Sequence, residues 1–343
     1  PSFSADQLAG LGAEKVQEVL LLTGLWAALQ TRPFSKVPMP GSVPISIFVT
    51  AIDTHPLAAD PAPIIAAEQE AFTQGLQVLS NLAAKVFVCA AAETTVPAVA
   101  GTQVERFDGV HPAGLPSTHI HMLDPVGPNK SVWTVGYQDV IAIGKTFVSG
   151  QISVERIIAM AGPMVTKPRL LRTRLGASTE QLLATETQTG EFDNRVVSGS
   201  LLGGRAAHGT EAFLGRYHHQ ISVLEEGKKR ELLGWLTAGS NKHSLLNIYA
   251  SALQRSKKMS FTTTNGSARA MVPVGVFEDV MPLDILPTQL LRALVVGDIV
   301  AAQELGCLEL EEADLALCTY ACAGKYEYGP ILRDVLTRIE KEC

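Results

Sequence analysis

Charged and aromatic side chains are scarce in this 343-residue chain, at 18% and 6% of the sequence, and acidic residues outnumber basic ones. The resulting net charge of -6 at pH 7 argues against the positively charged surface that nucleic-acid binding requires. Hydrophobic residues still reach 46%, well above the content of disordered chains. The sequence therefore describes a folded protein, with a length that favours about two or three domains.

Long apolar runs and a disulfide framework are also missing. The longest apolar stretches, around Ile45–Ile52 and Val140–Val148, end well short of the roughly 20 residues of a membrane span. The N-terminus carries no recognisable signal peptide. Five cysteines are an odd number in a long chain, which indicates a reducing compartment. We therefore expect a cytoplasmic protein.

Three of the eight histidines lie in one short stretch, Asp108–Pro125. His111, His119 and His121 are surrounded there by prolines and glycines, which predicts a loop. If Thr118–Met122 is extended, His119 and His121 point to the same side. Such an arrangement could bind zinc, or the loop could be rigid, with histidines bonded to carbonyls and carboxylates. The spacing alone leaves both open.

Strands and helices alternate in the first half of the chain. Ile45–Ile52 and Val86–Cys89 read as buried strands, and Ala66–Ala83 between them as an amphipathic helix. This order predicts a parallel sheet. Because ligands of such sheets lie beyond the carboxyl ends of the strands, Asp53 and His55 are predicted to face a ligand.

The pattern changes near residue 150. Arg156–Ala161 and Arg169–Arg174 indicate a hairpin, Ser178 begins a short helix, and Arg195–Ser198 is a further strand. This β-β-α-β order predicts a small β-grasp domain.

The rest of the chain is read as strands followed by helices. Tyr217–Leu224 and Glu231–Leu236 are predicted strands, and the sequence after Pro282 has helical periodicity. The predicted architecture is α/β multidomain, with a Rossmann-like parallel-sheet domain at 1–150, the β-grasp domain at 151–207, a β-rich connecting segment at 208–280 and a C-terminal helical domain at 281–343.

Four stretches together resemble one protein family: Thr23–Pro38, Ile47–Pro61, Asp108–Pro125 and Ala316–Arg333. The chain is similar, nearly end to end, to the NqrA family, the A subunits of the bacterial sodium-translocating NADH:quinone oxidoreductases. The resemblance implies that the family carries about 100 further residues at the N-terminus, the size of a small domain. It also implies that the β-grasp unit is of the SLBB type.

The resemblance implies a function as well. The complex oxidises NADH, reduces ubiquinone to ubiquinol and exports Na+. This subunit is expected to be peripheral, at the cytoplasmic face of the bacterial inner membrane, and linked to quinone. Its expected partners are the other subunits and ubiquinone, and it needs no transmembrane segment of its own. Flavins and iron–sulfur centres are expected on other subunits, so the isolated chain is expected to be inactive.

The family's flavin- and NADH-binding relatives have a glycine-rich loop that allows close approach of the backbone to phosphate. After Gly24 this sequence has the bulkier segment Trp26–Gln30 in that place. We therefore predict a degenerate Rossmann-like domain, without a tightly bound flavin or dinucleotide.

The relatives' C-terminal iron–sulfur motif, Cys-x2-Cys-x2-Cys-x3-Cys-Pro, is incomplete here. Cys318 and Cys322 keep its last pair, but the first two positions are Glu312 and Leu315. We predict two free thiols in a helical domain of iron–sulfur ancestry, with no tightly bound cofactor or metal.

Eight residues are the predicted quinone contacts: Arg32, Phe34, Lys36, Asp53, His55, His111, His119 and His121. Arg32 to Lys36 offers a proline-fixed backbone, an aromatic wall and two cationic donors. Asp53 and His55 are expected to face the same crevice, with the histidine-rich loop as its lid. Alternatively, Arg32 and Lys36 only cap the preceding helix, where cations are favoured by about 0.3–1 kcal/mol.

Two other classes of function stay open from the sequence. One is a stand-alone enzyme, either a degenerate flavin oxidoreductase or a zinc-dependent enzyme using His111, His119 and His121. The other is a docking scaffold that contacts neither electrons nor quinone. Colour and metal content test the first class, and a quinone titration tests the second.

Overall fold

The computed structural model describes residues 1–228, 236–240, 242–243, 245, 248–253, 262–264 and 266–342. Two five-stranded sheets are followed by a helical unit, which confirms the predicted α/β multidomain class. The strand predicted over Glu231–Leu236 lies outside the described residues, except for Leu236, and so does Cys343.

The first sheet contains β1 (Gln30–Arg32), β2 (Ile47–Ala51), β3 (Val86–Ala91), β4 (Thr102–Phe107) and β5 (Val132–Gly136). Their order is β1-β5-β2-β3-β4, with β2 to β5 parallel and β1 antiparallel to β5. The central strands are almost wholly buried, which explains their continuous apolar sequences. Since the chain proceeds from β2 to β3 and β4 and returns on the other side at β5, a topological switch point lies between β2 and β5.

Helices cover both faces of this sheet. They are α1 (Ala5–Leu8), α2 (Ala13–Thr23), α3 (Pro61–Ala67), α4 (Gln69–Leu79), α5 (Pro116–Leu123) and α6 (Tyr137–Ser149). Val49 packs into the core that includes α4 and α6. Phe48, on the opposite face, packs into a smaller core with Ile120 of α5. The alternation of side chains along β2 therefore separates the two cores.

The second sheet contains β6 (Glu155–Ala161), β7 (Arg169–Arg174), β8 (Asn194–Ser198), β9 (Arg205–Ala206) and β10 (Gln220–Glu225), with α7 (Thr179–Leu183) after β7. Its order is β7-β6-β10-β8-β9, and β10 runs parallel to β6. The strand predicted at Tyr217–Leu224 is thus part of this sheet. The sheet extends beyond residue 207 because β10 pairs between β6 and β8.

The C-terminal unit is built from α8 (Pro287–Val296), α9 (Ile299–Glu304), α10 (Ala316–Ala321) and α11 (Tyr328–Glu342). Leu332 and Leu336 of α11 pack with Leu290 and Leu294 of α8 in a separate apolar core. Within the described part of the chain, no helix combines the length and apolar character needed to cross a membrane.

Candidate functional site

The segment from Arg32 to Lys36 faces the C-terminal helical unit. Arg32, at the end of β1, is fully buried, and its Nη2 lies 2.5 Å from Oε2 of Glu311. Lys36 pairs at the surface, with Nζ 2.5 Å from Oε2 of Glu340. Both cations therefore pair with carboxylates of the helical unit.

Phe34 lies between these cations and contributes to the same contact. Its half-buried ring packs against the apolar core of the helical unit. Its carbonyl accepts a hydrogen bond from Nη1 of Arg333 at 2.7 Å, and Arg333 also binds Glu312 at 2.6 and 2.8 Å. We call this contact of residues 32–36 with the helical unit the domain joint.

Asp53 and His55 lie beyond the carboxyl end of β2, at the switch point of the first sheet. Nδ1 of His55 is 2.7 Å from Oδ1 of Asp53, and the same oxygen accepts the backbone N–H of His55 at 3.0 Å. Burial acts to raise the pKa of Asp53, but the hydrogen bonds and charge of His55 outweigh it and hold this pKa below 3.8. Asp53 is therefore a carboxylate that orients the His55 ring.

His111 packs beside this pair. Its ring centroid is 4.8 Å from that of His55, and its Nδ1 is 3.3 Å from Oγ1 of Thr54. Burial, followed by the charge of His55, lowers the pKa of His111 to about 4, so the imidazole is neutral at pH 7. Its Nε2 is buried and has no hydrogen-bond partner in the described part of the chain.

His219, from the β-grasp unit, lies at the same switch point and was not found by sequence reasoning. Its ring is 5.5 Å from that of Tyr137, which directly follows β5. The next residue, Gln220, donates from Nε2 to the carbonyl of Pro56 at 3.0 Å, which joins the β-grasp unit to the segment after β2. Nε2 of His219 is buried and lacks a hydrogen-bond partner among the described residues. The only sequence feature pointing to it was the His218-His219 pair within a predicted strand.

We call His55, His111 and His219 the switch-point histidines. His119 and His121 lie elsewhere. The predicted loop is wrong for Thr118–Met122, which is not extended either, because this segment lies within α5, a helix that begins with proline at its first position. Residues two apart on a helix point about 200° from each other.

The partners of the two histidines show this divergence. His119 is fully buried, contacts Phe107 with ring centroids 4.3 Å apart, and bonds through Nε2 to the Ala113 carbonyl at 3.0 Å. His121 instead bonds through Nδ1 to Glu309 at 2.8 Å, and its Nε2 accepts the backbone N–H of Asp284 at 3.0 Å. Among the residues with described positions, no group of three or more potential ligands is arranged to hold a metal ion.

Comparison with known proteins identifies the family. A family model described as "NqrA second alpha/beta domain" matches residues 11–152, and one described as "NQRA C-terminal domain" matches 157–209. The chain is 63% identical to the A subunit of the Na(+)-translocating NADH-quinone reductase of Pseudomonas aeruginosa, over 99% of its own length and 76% of the relative's. The chain belongs to the NqrA family. The proteins of the same name in Hahella chejuensis and Cellvibrio japonicus are 62% and 61% identical over the same shares.

Among solved structures, an NAD+-reducing NiFe-hydrogenase in its air-oxidized state aligns with this NqrA family member at 12% identity and a TM-score of 0.43. The alignment covers 64% of this chain and 50% of that one. This similarity is too low to support any argument about the chain.

Bulky side chains follow Gly24 in this member of the NqrA family. Leu25–Ala28 forms a 3-10 turn, and Trp26 is buried edge-on against Trp133 with ring centroids 5.3 Å apart. Nε1 of Trp26 donates to the carbonyl of Pro38 at 2.7 Å. The indole is thus fixed by packing and by a hydrogen bond.

The three described cysteines of the helical unit, Cys307, Cys318 and Cys322, are buried free thiols. Burial raises the pKa of Cys307 and of Cys318 to about 12, which disfavours the thiolate that binds metals. Sγ of Cys322 lies 3.3 Å from the hydroxyl of Tyr328. In this structure, all three thiols contribute to the apolar core of the helical unit.

Proposed function

We propose that this chain acts as a peripheral component of a complex that oxidises NADH, reduces ubiquinone to ubiquinol and exports Na+, and that it contacts quinone at the switch-point histidines. The family membership supports the first part, since the relatives are named as the A subunit of a Na(+)-translocating NADH-quinone reductase. On this proposal the chain lies at the cytoplasmic face of the bacterial inner membrane. It binds no cofactor tightly, and the flavins and iron–sulfur centres belong to its partner subunits.

The proposed quinone contact rests on Nε2 of His111 and Nε2 of His219, which are two of the buried nitrogens without a hydrogen-bond partner among the described residues and which both lie at the switch point. A quinone head group needs hydrogen-bond donors for two carbonyl oxygens, and a neutral imidazole can donate from one nitrogen. Oγ1 of Thr54 already accepts the N–H of Gly114 at 2.9 Å. If Thr54 donates its own proton to Nδ1 of His111, then Nε2 of His111 carries the N–H that a quinone carbonyl can accept.

This proposal moves the site relative to the sequence prediction. Arg32, Phe34 and Lys36 already bind the helical unit at the domain joint, so we assign them to the joint. Tyr137, which lies beside His219 and directly after β5, replaces Phe34 as the proposed aromatic wall of the quinone site. Asp53 and His55 keep their predicted place at the end of β2.

A titration of the full-length protein with a short-chain ubiquinone tests the site. We expect His111→Leu and His219→Leu each to weaken binding by about 3- to 10-fold, the value of one hydrogen bond, with the melting temperature preserved. His208→Leu is the matched control, because His208 is an exposed histidine that follows β9 in the same β-grasp unit. Unchanged quinone affinity in both folded variants would show that quinone does not bind at the switch-point histidines. If the unmodified protein does not bind quinone at all, the result would favour a docking scaffold.

A further inference from the structure

An exposed apolar surface lies on the first unit, directly after the domain joint in the sequence. The sequence from residue 37 to residue 52 contains no charged side chain. Within it, the loop 37–45 exposes Val37, Met39, Val43 and Ile45 by 44%, 77%, 71% and 49%. Isolated exposed apolar residues are ordinary on protein surfaces, but a group of this kind without charge marks an interaction site.

Hydrogen bonds fix this loop, so its apolar side chains are presented on a formed surface. Gln17 of α2 accepts the N–H of Gly41 at 3.0 Å and donates to the carbonyl of Ser42 at 3.1 Å. The carbonyl of Pro38 accepts from the Trp26 indole, and the N–H of Ile45 donates to Ser131 at 3.1 Å. Because the backbone is already ordered, docking onto this loop costs little conformational entropy.

Helix α2 extends the same surface. Leu21 lies one helical turn after Gln17 and therefore on the face that holds the loop. Leu21 is exposed by 42%. We call the combined surface of α2 and the loop, made by Leu21, Val37, Met39, Val43 and Ile45, the apolar patch.

The charges around the apolar patch favour a protein partner over a lipid surface. Attraction to the anionic lipids of a cytoplasmic leaflet requires clustered basic side chains. Cations close to this surface in sequence or through the backbone pair with carboxylates: Lys15 with Glu18 at 2.8 Å, Lys36 with Glu340, and Lys130, which precedes Ser131, with Asp124. The centres of protein–protein interfaces are depleted of charge and enriched in methionine, as this surface is.

We propose that the apolar patch is the surface by which this chain docks onto an uncharged, apolar face of another subunit of its complex. The proposal rests on the family membership and is independent of the quinone site. Because the patch lies on α2 and the loop before β2, docking there leaves the switch-point histidines free of direct contact with that partner.

The test uses the assembled complex, purified through a tag on a different subunit. We expect the double variant Met39→Asp/Val43→Asp to lower the amount of this chain retained in the complex by about tenfold, because it would bury two unpaired carboxylates at the interface. The matched control is Val272→Asp/Val274→Asp, which changes two valines flanking a proline that are exposed by 53% and 58% elsewhere. The control should be retained like the unmodified chain.

Two further measurements make the result decisive. The melting temperature of the isolated protein should be the same for both double variants, which separates lost docking from lost folding. A photo-crosslinking side chain placed at Met39 in the complex should join this chain to another subunit. Normal retention of Met39→Asp/Val43→Asp would overturn the proposal, as would crosslinks only to phospholipid or to a second copy of this chain.

Discussion

Two cations four residues apart experience opposite environments at the domain joint. The side chain of Arg32 is 0% exposed beside Glu311, whereas that of Lys36 is 55% exposed beside Glu340. The two N–O distances are equal at 2.5 Å, whereas the burial of the two cations differs strongly. Water screens the outer pair, and the inner pair depends on its partner for stabilisation.

We therefore expect Arg32→Met to lower the free energy of unfolding by about 2–4 kcal/mol, because Glu311 would lose its partner in a largely buried place. Lys36→Met, the matched control, should change it by less than about 1 kcal/mol. Urea unfolding of the two variants measures both values. Equal losses would show that burial does not set the strength of this joint.

At the scale of elements, the close packing of α4 against α6 depends on two glycines. A Cβ at Gly75 of α4 would lie 2.0 Å from the carbonyl oxygen of Val140, and one at Gly144 of α6 would lie 2.0 Å from that of Ala71. Glycine costs a helix interior about 1 kcal/mol relative to alanine. Here it allows the backbones of α4 and α6 to approach each other.

We expect Gly144→Ala to destabilise the protein by about 1–3 kcal/mol, since the overlap with the Ala71 carbonyl exceeds the gain in helix propensity. Gly10→Ala is the control, because the nearest atom to its added Cβ is 3.8 Å away, and it should stay within about 0.5 kcal/mol. Thermal unfolding followed by circular dichroism compares them. A stabilised Gly144→Ala would mean that the two helices can separate at no cost.

At the scale of the whole molecule, buried histidines determine the response to acid. Burial lowers the pKa of His111, His119 and His218 from 6.5 to about 4. Below pH 6.5 the unfolded chain takes up protons that the folded chain does not, so stability falls from pH 6.5 to pH 4. Asp314 acts in the opposite direction, because burial raises its pKa to about 7 and stability falls as the pH rises from 3.8 towards that value.

Three histidines outweigh one carboxyl, so we expect a net loss of stability below pH 6.5. His119 alone should contribute about 1.4 kcal/mol for each pH unit between 6.5 and 4. His119→Gln should flatten the acid side of the profile of unfolding free energy against pH, and Asp314→Asn should steepen it. A His119→Gln profile parallel to that of the unmodified protein would contradict the assignment.

Local sequence patterns were enough to predict many of the strands and helices and their order along the chain, although α5 and β1 were missed. The apolar β-branched runs of β2 and β3 and the hairpin of β6 and β7 are encoded in local periodicity, because burial on one or both faces of a strand constrains each residue directly. The resemblance carried by Thr23–Pro38 and Ala316–Arg333 was likewise sufficient to give the family.

The contacts between side chains that are distant in the sequence, in contrast, are determined by tertiary packing. The proline-rich context of His119 and His121 predicted a loop, but packing of Ile120 into the core beneath β2 and β3 favours a helix, and a helix sends the two rings apart. Arg32 pairs with Glu311, which is distant in the sequence, and His219 of the β-grasp unit lies at the switch point of the first sheet. Such contacts depend on how whole units dock, and no local spacing encodes that geometry.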